Sequence, residues 1–117
     1  MSAPAPKAAV SLRVDLPTGR VGPGKVALLE AIEREGSISA AGRALGMSYR
    51  RAWRLVDEVN RVLGAQAVAA ATGGRGGGGA ALTEAGRDLV RDCRAMERAA
   101  HAAAARLLDS LARRTGG

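Results

Sequence analysis

The sequence predicts a mainly α fold with a small β component, a winged helix-turn-helix followed by a long C-terminal helix suited to dimerisation. Three features predict it. Residues 37–64 hold two helical segments with a natural break only at Gly46 and Met47, six of the seven residues from Gly73 to Gly79 are glycine, and an apolar repeat continues from Leu89 to Leu107. At 117 residues and a net charge of +7, the chain has room for one domain with tails, and its arginine excess points to a polyanionic partner.

Composition excludes several classes of function. Tyr49 and Trp53 are the only aromatic side chains, too few for the stacking platforms that grip single strands, so a duplex is favoured. With Cys93 the only cysteine and His101 the only histidine, neither a disulfide framework nor a zinc cluster is expected, and no metal or cofactor is assigned. "MSAPAPKAAV" has one lysine and no continuous apolar run. It reads as neither signal peptide nor membrane span, which makes residues 1–8 a disordered tail and the setting cytoplasmic.

In "VSLRVDL" the side chains of Val10, Leu12, Val14 and Leu16 alternate with polar ones, the period of a half-buried strand that Pro17 and Gly19 end. "GPGKVALLEAIEREG" predicts a core helix, with Pro23 at its first position, an apolar stripe of Val26, Leu28, Leu29 and Ile32, and Gly36 as its stop. Ser37 and Ser48 are placed to cap the next two helices. Ala40, Ala41 and Ala44 allow a close crossing, Leu45 and Met47 fill the corner below the turn, and Ala52, Val56, Val59 and Leu63 form the buried face of the second helix.

The other face carries Tyr49, Arg50, Trp53 and Arg54, with Arg51 beside it. Cations in a first turn oppose the helix dipole, by about 0.3 to 1 kcal/mol each when exposed. A local rule broken in this way points to a functional surface. In the major groove arginine can pair with guanine, and phosphates reward the charge. Ser48, Tyr49, Arg50, Arg51, Trp53 and Arg54 are therefore the expected DNA-reading residues, and Ser37, Ser39 and Arg43 on the preceding helix complete the DNA-binding set.

Val68 and Leu82 flank the glycine run, so a hairpin with an open tip is expected. The wing assigned to it comprises Thr72, Gly73, Gly74, Arg75, Gly76, Gly77, Gly78 and Gly79, where bare backbone lies close to phosphate and Arg75 reaches backbone or minor groove. Gly74, Gly76 and Gly79 also satisfy the G-x-G-x-x-G spacing of a nucleotide site. In so glycine-rich a run that match is nearly automatic, and no strand, helix and strand surround it. A low-specificity architectural DNA-binding protein and this nucleotide module are the rival readings.

Thr83 can cap a helix whose signals continue to about Leu111. Leu89, Cys93, Met96, Ala100, Ala103 and Leu107 form a heptad seam, longer than a small domain can cover, and these residues are the expected homodimer interface. About 12 Å of helix separates Cys93 from His101, so packing and surface roles are expected for them rather than catalysis, and no enzyme is expected. The divisions are a winged helix-turn-helix DNA-binding domain over residues 9–82, a long dimerisation helix over 83–112 and a disordered tail over 113–117.

"GSISAAGRALGMSYRRAW" followed by "ATGGRGGGGAALTEAG" resembles the N-terminal DNA-binding domain of ModE-type molybdenum-responsive transcriptional regulators, from about Val10 to Leu111. Ala41, Ser48 and the stretch from Leu82 to Gly86 are also similar to the wider LysR-type winged helix. The resemblance implies a dimer with a recognition helix containing Ser48 to Arg54 and a wing containing Thr72 to Ala80. Full-length regulators of that kind continue into an oxyanion-binding region, whereas this sequence stops at Gly117. Molybdate sensing is accordingly not expected of it, and it is expected to act without an effector or with a separate effector-binding protein.

Overall fold

The structure is a computed structural model that describes residues 7–71 and 78–116. Its first element is a hairpin of β1 (Val14–Leu16) and β2 (Gly19–Val21), antiparallel with Val14 opposite Val21. The strand expected over residues 10–16 is thus shorter, and its partner had no signal of its own, because glycine and arginine precede its one buried residue, Val21. The period-two pattern governs burial as far as Asp15, with Val10, Leu12 and Val14 half-buried and Ser11, Arg13 and Asp15 exposed, and it fails at Leu16, which is exposed at the turn. Gly19 has φ +147, and a Cβ there would stand 2.8 Å from Val62 Cγ2, so glycine lets the turn close against the helix end. Thr18 Oγ1 donates to the Val62 carbonyl at 2.7 Å.

Helix α1 (Pro23–Glu35) begins on Pro23 and ends on Gly36 at φ 82, as the spacing requires. It is followed by α2 (Ile38–Ala44), α3 (Tyr49–Leu63) and a second antiparallel hairpin, β3 (Val68–Ala70) with β4 (Ala80–Leu82). One core joins α1, α2, α3 and this hairpin, with Leu28, Leu29, Ile32, Ala41, Ala52 and Val59 at 1% exposure or less. Each large aliphatic side chain among them contributes about 1.5 to 3 kcal/mol by leaving water. Leu55 and Val62 join the buried face expected of α3, while Leu63 is only partly buried.

Helix α4 (Glu84–Arg114) has 31 residues, about 46 Å at 1.5 Å per residue, and runs three residues past Leu111. Its start lies against α1 and β4. Cys93 joins Val21, Val26 and Val62 in a second core cluster, with Leu89 and Val90 packed beside it. Farther along, His101 Nε2 stands 3.1 Å from the Val10 carbonyl oxygen. A carbonyl only accepts, so Nε2 is the protonated nitrogen and His101 tethers the N-terminal segment. Among the described residues no helix is long and apolar enough to cross a membrane.

Arg94 ties α4 to α1. Its Nε donates to Glu30 Oε2 at 2.9 Å, its Nη2 to Glu30 Oε1, and its Nη1 to Glu97 at 3.0 Å. The hydrogen bonds from Arg94 hold the Glu30 carboxyl below its ordinary value of 4.5, outweighing partial burial. About one third of each side chain remains exposed, 32% and 35%, so solvent screening limits the pair to about 1 kcal/mol. A carboxyl with a depressed folded pKa stabilises the protein above its unfolded pKa and loses that contribution as the pH falls through the folded value. The stability gap between the native chain and Arg94→Met should be full at pH 7 and shrink below about pH 4.5. Urea titrations of both at pH 7 and pH 3.5 check this; a gap independent of pH would assign the loss to packing of the arginine stem.

Candidate nucleic-acid interface

Helices α2 and α3 are held by a four-residue connection. The Gly42 carbonyl accepts from Met47 N at 2.9 Å and from Leu45 N at 3.2 Å. Gly46 takes φ 69 and reverses the chain. The crossing is made by Ala41 and Gly42: a Cβ on Gly42 would lie 3.3 Å from Ala52 Cβ and 3.5 Å from the Met47 carbonyl. Of the alanines expected there, Ala40 is half-buried and Ala44 exposed, because glycine lies where the helices come closest. Met47 packs on the core as expected, but Leu45 points outward, since the turn folds only one of the two side chains under the helices.

Both predicted caps form. Ser37 Oγ accepts from Ala40 N at 3.0 Å and Ser48 Oγ from Arg51 N at 3.1 Å, which leaves each hydroxyl proton free to donate. Arg43 Nη1 donates to Ser39 Oγ at 2.8 Å, so two of the residues expected to bind DNA from α2 already form one polar pair.

Tyr49, Arg50, Arg51, Trp53 and Arg54 are all exposed on the first turns of α3, and no acidic residue stands in its first turn. Among the described residues none of the three arginines takes part in an ion pair, whereas Arg13, Arg20, Lys25, Arg34, Arg91 and Arg94 all do. At about 100° per residue Arg50 and Arg54 share the outward face with Arg61, while Arg51 lies on one flank and Tyr49 and Trp53 on the other. Arg61 is exposed at the end of the same face, where a cation suits the dipole. Its spacing of seven from Arg54 is the signal that could have added it to the set. The arrangement is a capped helix end with uncompensated donors directed at solvent, suited to a surface of phosphates and base edges.

The hairpin beside it is anchored at its base. Ala71 N donates to the Gly79 carbonyl at 3.0 Å, one pair beyond β3 and β4. The outer edge of β4 is satisfied by α1, with Ala80 N donating to the Gly36 carbonyl at 2.8 Å and Leu82 N to Glu33 Oε2 at 2.9 Å. Asn60 Oδ1 accepts from Ala67 N at 2.8 Å and fixes β3 to the end of α3. Glu33 and Asn60 were missed from sequence because each works through a backbone group distant in the chain. Of the expected wing residues, Gly78 and Gly79 are at the hairpin's base, with open space around Gly78. Thr72, Gly73, Gly74, Arg75, Gly76 and Gly77 lie outside the described residues.

The seam of α4 divides in two. Leu89 and Cys93 belong to the chain's own core, because α1 and the first hairpin reach that far along the helix. Beyond them, Ala100 is half-buried, Met96, Ala103 and Leu107 are exposed, and Leu111 extends the face.

Two capped helices across a tight turn, followed by an anchored β-hairpin, define a winged helix-turn-helix module. The chain belongs to the lysR family of bacterial regulatory helix-turn-helix proteins, whose family model matches residues 24–87. It is 50% identical over 91 residues to the molybdenum-pterin-binding protein MopB of Rhodobacter capsulatus, covering 78% of this chain and 32% of that protein. It is 43% identical over 93 residues to the molybdenum transport protein ModE of Azotobacter vinelandii, covering 80% and 34%. It is 42% identical over 69 residues to the DNA-binding transcriptional dual regulator ModE of Escherichia coli (strain K12), covering 59% and 26%. The chain thus spans about a third or less of the length of these relatives, and the resemblance to a ModE-type N-terminal domain is borne out. Its fold matches a chain in the crystal structure of the CbnR_DBD-DNA complex, with a TM-score of 0.59 at 20% identity over 75% of this chain and 95% of that one.

Proposed function

We propose that the chain is a sequence-specific double-stranded DNA-binding module of a transcriptional regulator, without catalytic activity and working in the cytoplasm. Helix α3 enters the major groove and the glycine-rich hairpin contacts backbone or minor groove. The observation that carries this reading is the group of exposed arginines on the first turns of α3, against the helix dipole and in no ion pair among the described residues. Fold stability offers no reason for them; a polyanion with guanine edges does. The names of the relatives set the proposal in molybdenum-related regulation.

Selection from random duplexes, followed by titration at physiological salt, tests the reading. The selected site should bind about 10³-fold tighter than random duplex. Equal affinity for both would make the chain a low-specificity coating protein, and stabilisation by a nucleotide would point to the glycine run instead.

The module acts as a homodimer through the second half of α4, on an inverted repeat with half-sites about 34 to 36 Å apart or a multiple of it. Support comes from Leu107, Leu111 and Met96, which are 70%, 50% and 42% exposed along one continued face. Water against that face is unfavourable at about 25 cal/mol per Å², and a second copy removes it. Leu107→Glu should convert dimer to monomer at micromolar concentration in sedimentation while the circular dichroism spectrum stays helical. A native chain that sediments as a monomer at that concentration would rule the dimer out.

A further inference from the structure

The chain has one tyrosine, one tryptophan and no phenylalanine, and both aromatic side chains lie on the first turns of α3, outside the core. Tyr49 is 60% exposed and Trp53 is 43% exposed. Their rings meet edge to face, with centroids 6.2 Å apart and planes at 77°. Aromatic rings are among the most rewarding side chains to bury. Among the described residues no aromatic ring lies in the core, and both rings stay at least two fifths exposed on the helix start that carries Arg50, Arg51 and Arg54. Packing does not account for that placement.

Four residues of helix set Trp53 about 40° round from Tyr49, on one flank of the outward face shared by Arg50 and Arg54. A base pair in the major groove presents donors, acceptors and a single apolar group, the 5-methyl of thymine. We propose that Tyr49 and Trp53 together form a thymine-methyl reader beside the guanine-reading arginines, and so set the preference for thymine over cytosine at a fixed step of each half-site. The inference rests on the DNA-reading function proposed above. Edge-to-face contact restricts both rings before DNA arrives, so little side-chain freedom is lost on docking. Cytosine at the same step offers an amino group and no methyl, leaving the rings against a polar edge they cannot satisfy.

The test replaces thymines of the selected duplex one at a time with uracil, which removes only the methyl and keeps every hydrogen-bonding group. The native chain should lose about fourfold in affinity at one or two positions per half-site, the worth of one buried carbon. Trp53→Ala should bind the thymine duplex more weakly and show no thymine-to-uracil difference. Trp53 is 43% exposed, so its removal also costs some stability; Tyr49→Ala, at a side chain 60% exposed, is the second variant, expected to lose the same discrimination with a melting curve that matches the native one. Equal binding of thymine and uracil duplexes by a native chain that still prefers its selected site overturns this inference alone, as does a difference that survives in both variants. A chain with no preference among duplexes overturns the DNA-reading function and this inference together.

Discussion

Gly86→Ala should cost about 3 kcal/mol or more and lower the melting temperature by about 10 to 20 °C. A Cβ on Gly86 would stand 2.2 Å from the Ala67 carbonyl oxygen and 3.1 Å from its carbon. The neighbour is backbone, and it is pinned. Thr83 N donates to that same oxygen at 2.9 Å, while Thr83 Oγ1 donates to the Gln66 carbonyl at 2.6 Å and accepts from Gly86 N at 3.1 Å. A methyl group would therefore part the start of α4 from the base of the hairpin and break the cap as well. Gly24→Ala is the control, since a Cβ there meets nothing within 4 Å and alanine favours a helix by about 1 kcal/mol over glycine. Thermal melts of the two variants decide the matter. A Gly86→Ala chain that melts within a few degrees of the native one would show that the interface relaxes.

Arg50→Ala should lower affinity for the selected duplex by about ten- to a hundredfold and flatten the preference at one base step, with a smaller loss on random duplex. Arg50 is exposed, unpaired among the described residues and on the outward face of the first turn of α3. Its guanidinium can offer two parallel donors to a guanine edge. Arg51 lies about 100° away on the flank, where phosphates run, so Arg51→Ala should weaken binding to both duplexes alike and reduce the salt dependence. Fluorescence anisotropy of the two variants on both duplexes separates the roles. Equal losses for Arg50→Ala on selected and random DNA would move it to the phosphate-binding group.

Most of the candidate interface could be read from the chain because its chemistry is local. Ser37, Ser48 and Thr83 each accept a hydrogen bond from an N–H three residues on, a relation written into sequence spacing. The arginines of α3 were recognisable because they break the rule for a first turn. The hairpin of β1 and β2 was legible in one strand only. A three-residue strand beginning Gly-Arg has no period to detect, and it exists because Thr18 and Gly19 fit against Val62. Gly42 was passed over for the alanines around it, since a glycine within a helix reads as a weakness until a second helix lies against it.

The sequence by itself determined where the helices begin, which helix carries the uncompensated charge, and that α4 has one continuous apolar face. Only the tertiary structure decided how that face is shared. Leu89 and Cys93 repeat the spacing of Met96, Ala100, Ala103 and Leu107, and a period records which side of a helix is apolar without recording how far the body beside it extends. Here α1 and the first hairpin cover the helix as far as Cys93, and Leu107 and Leu111 lie beyond their reach. The same holds for Glu33, Asn60 and Gly86, whose partners are backbone groups far along the chain. Such contacts depend on where distant segments meet, and that follows from packing the whole core at once.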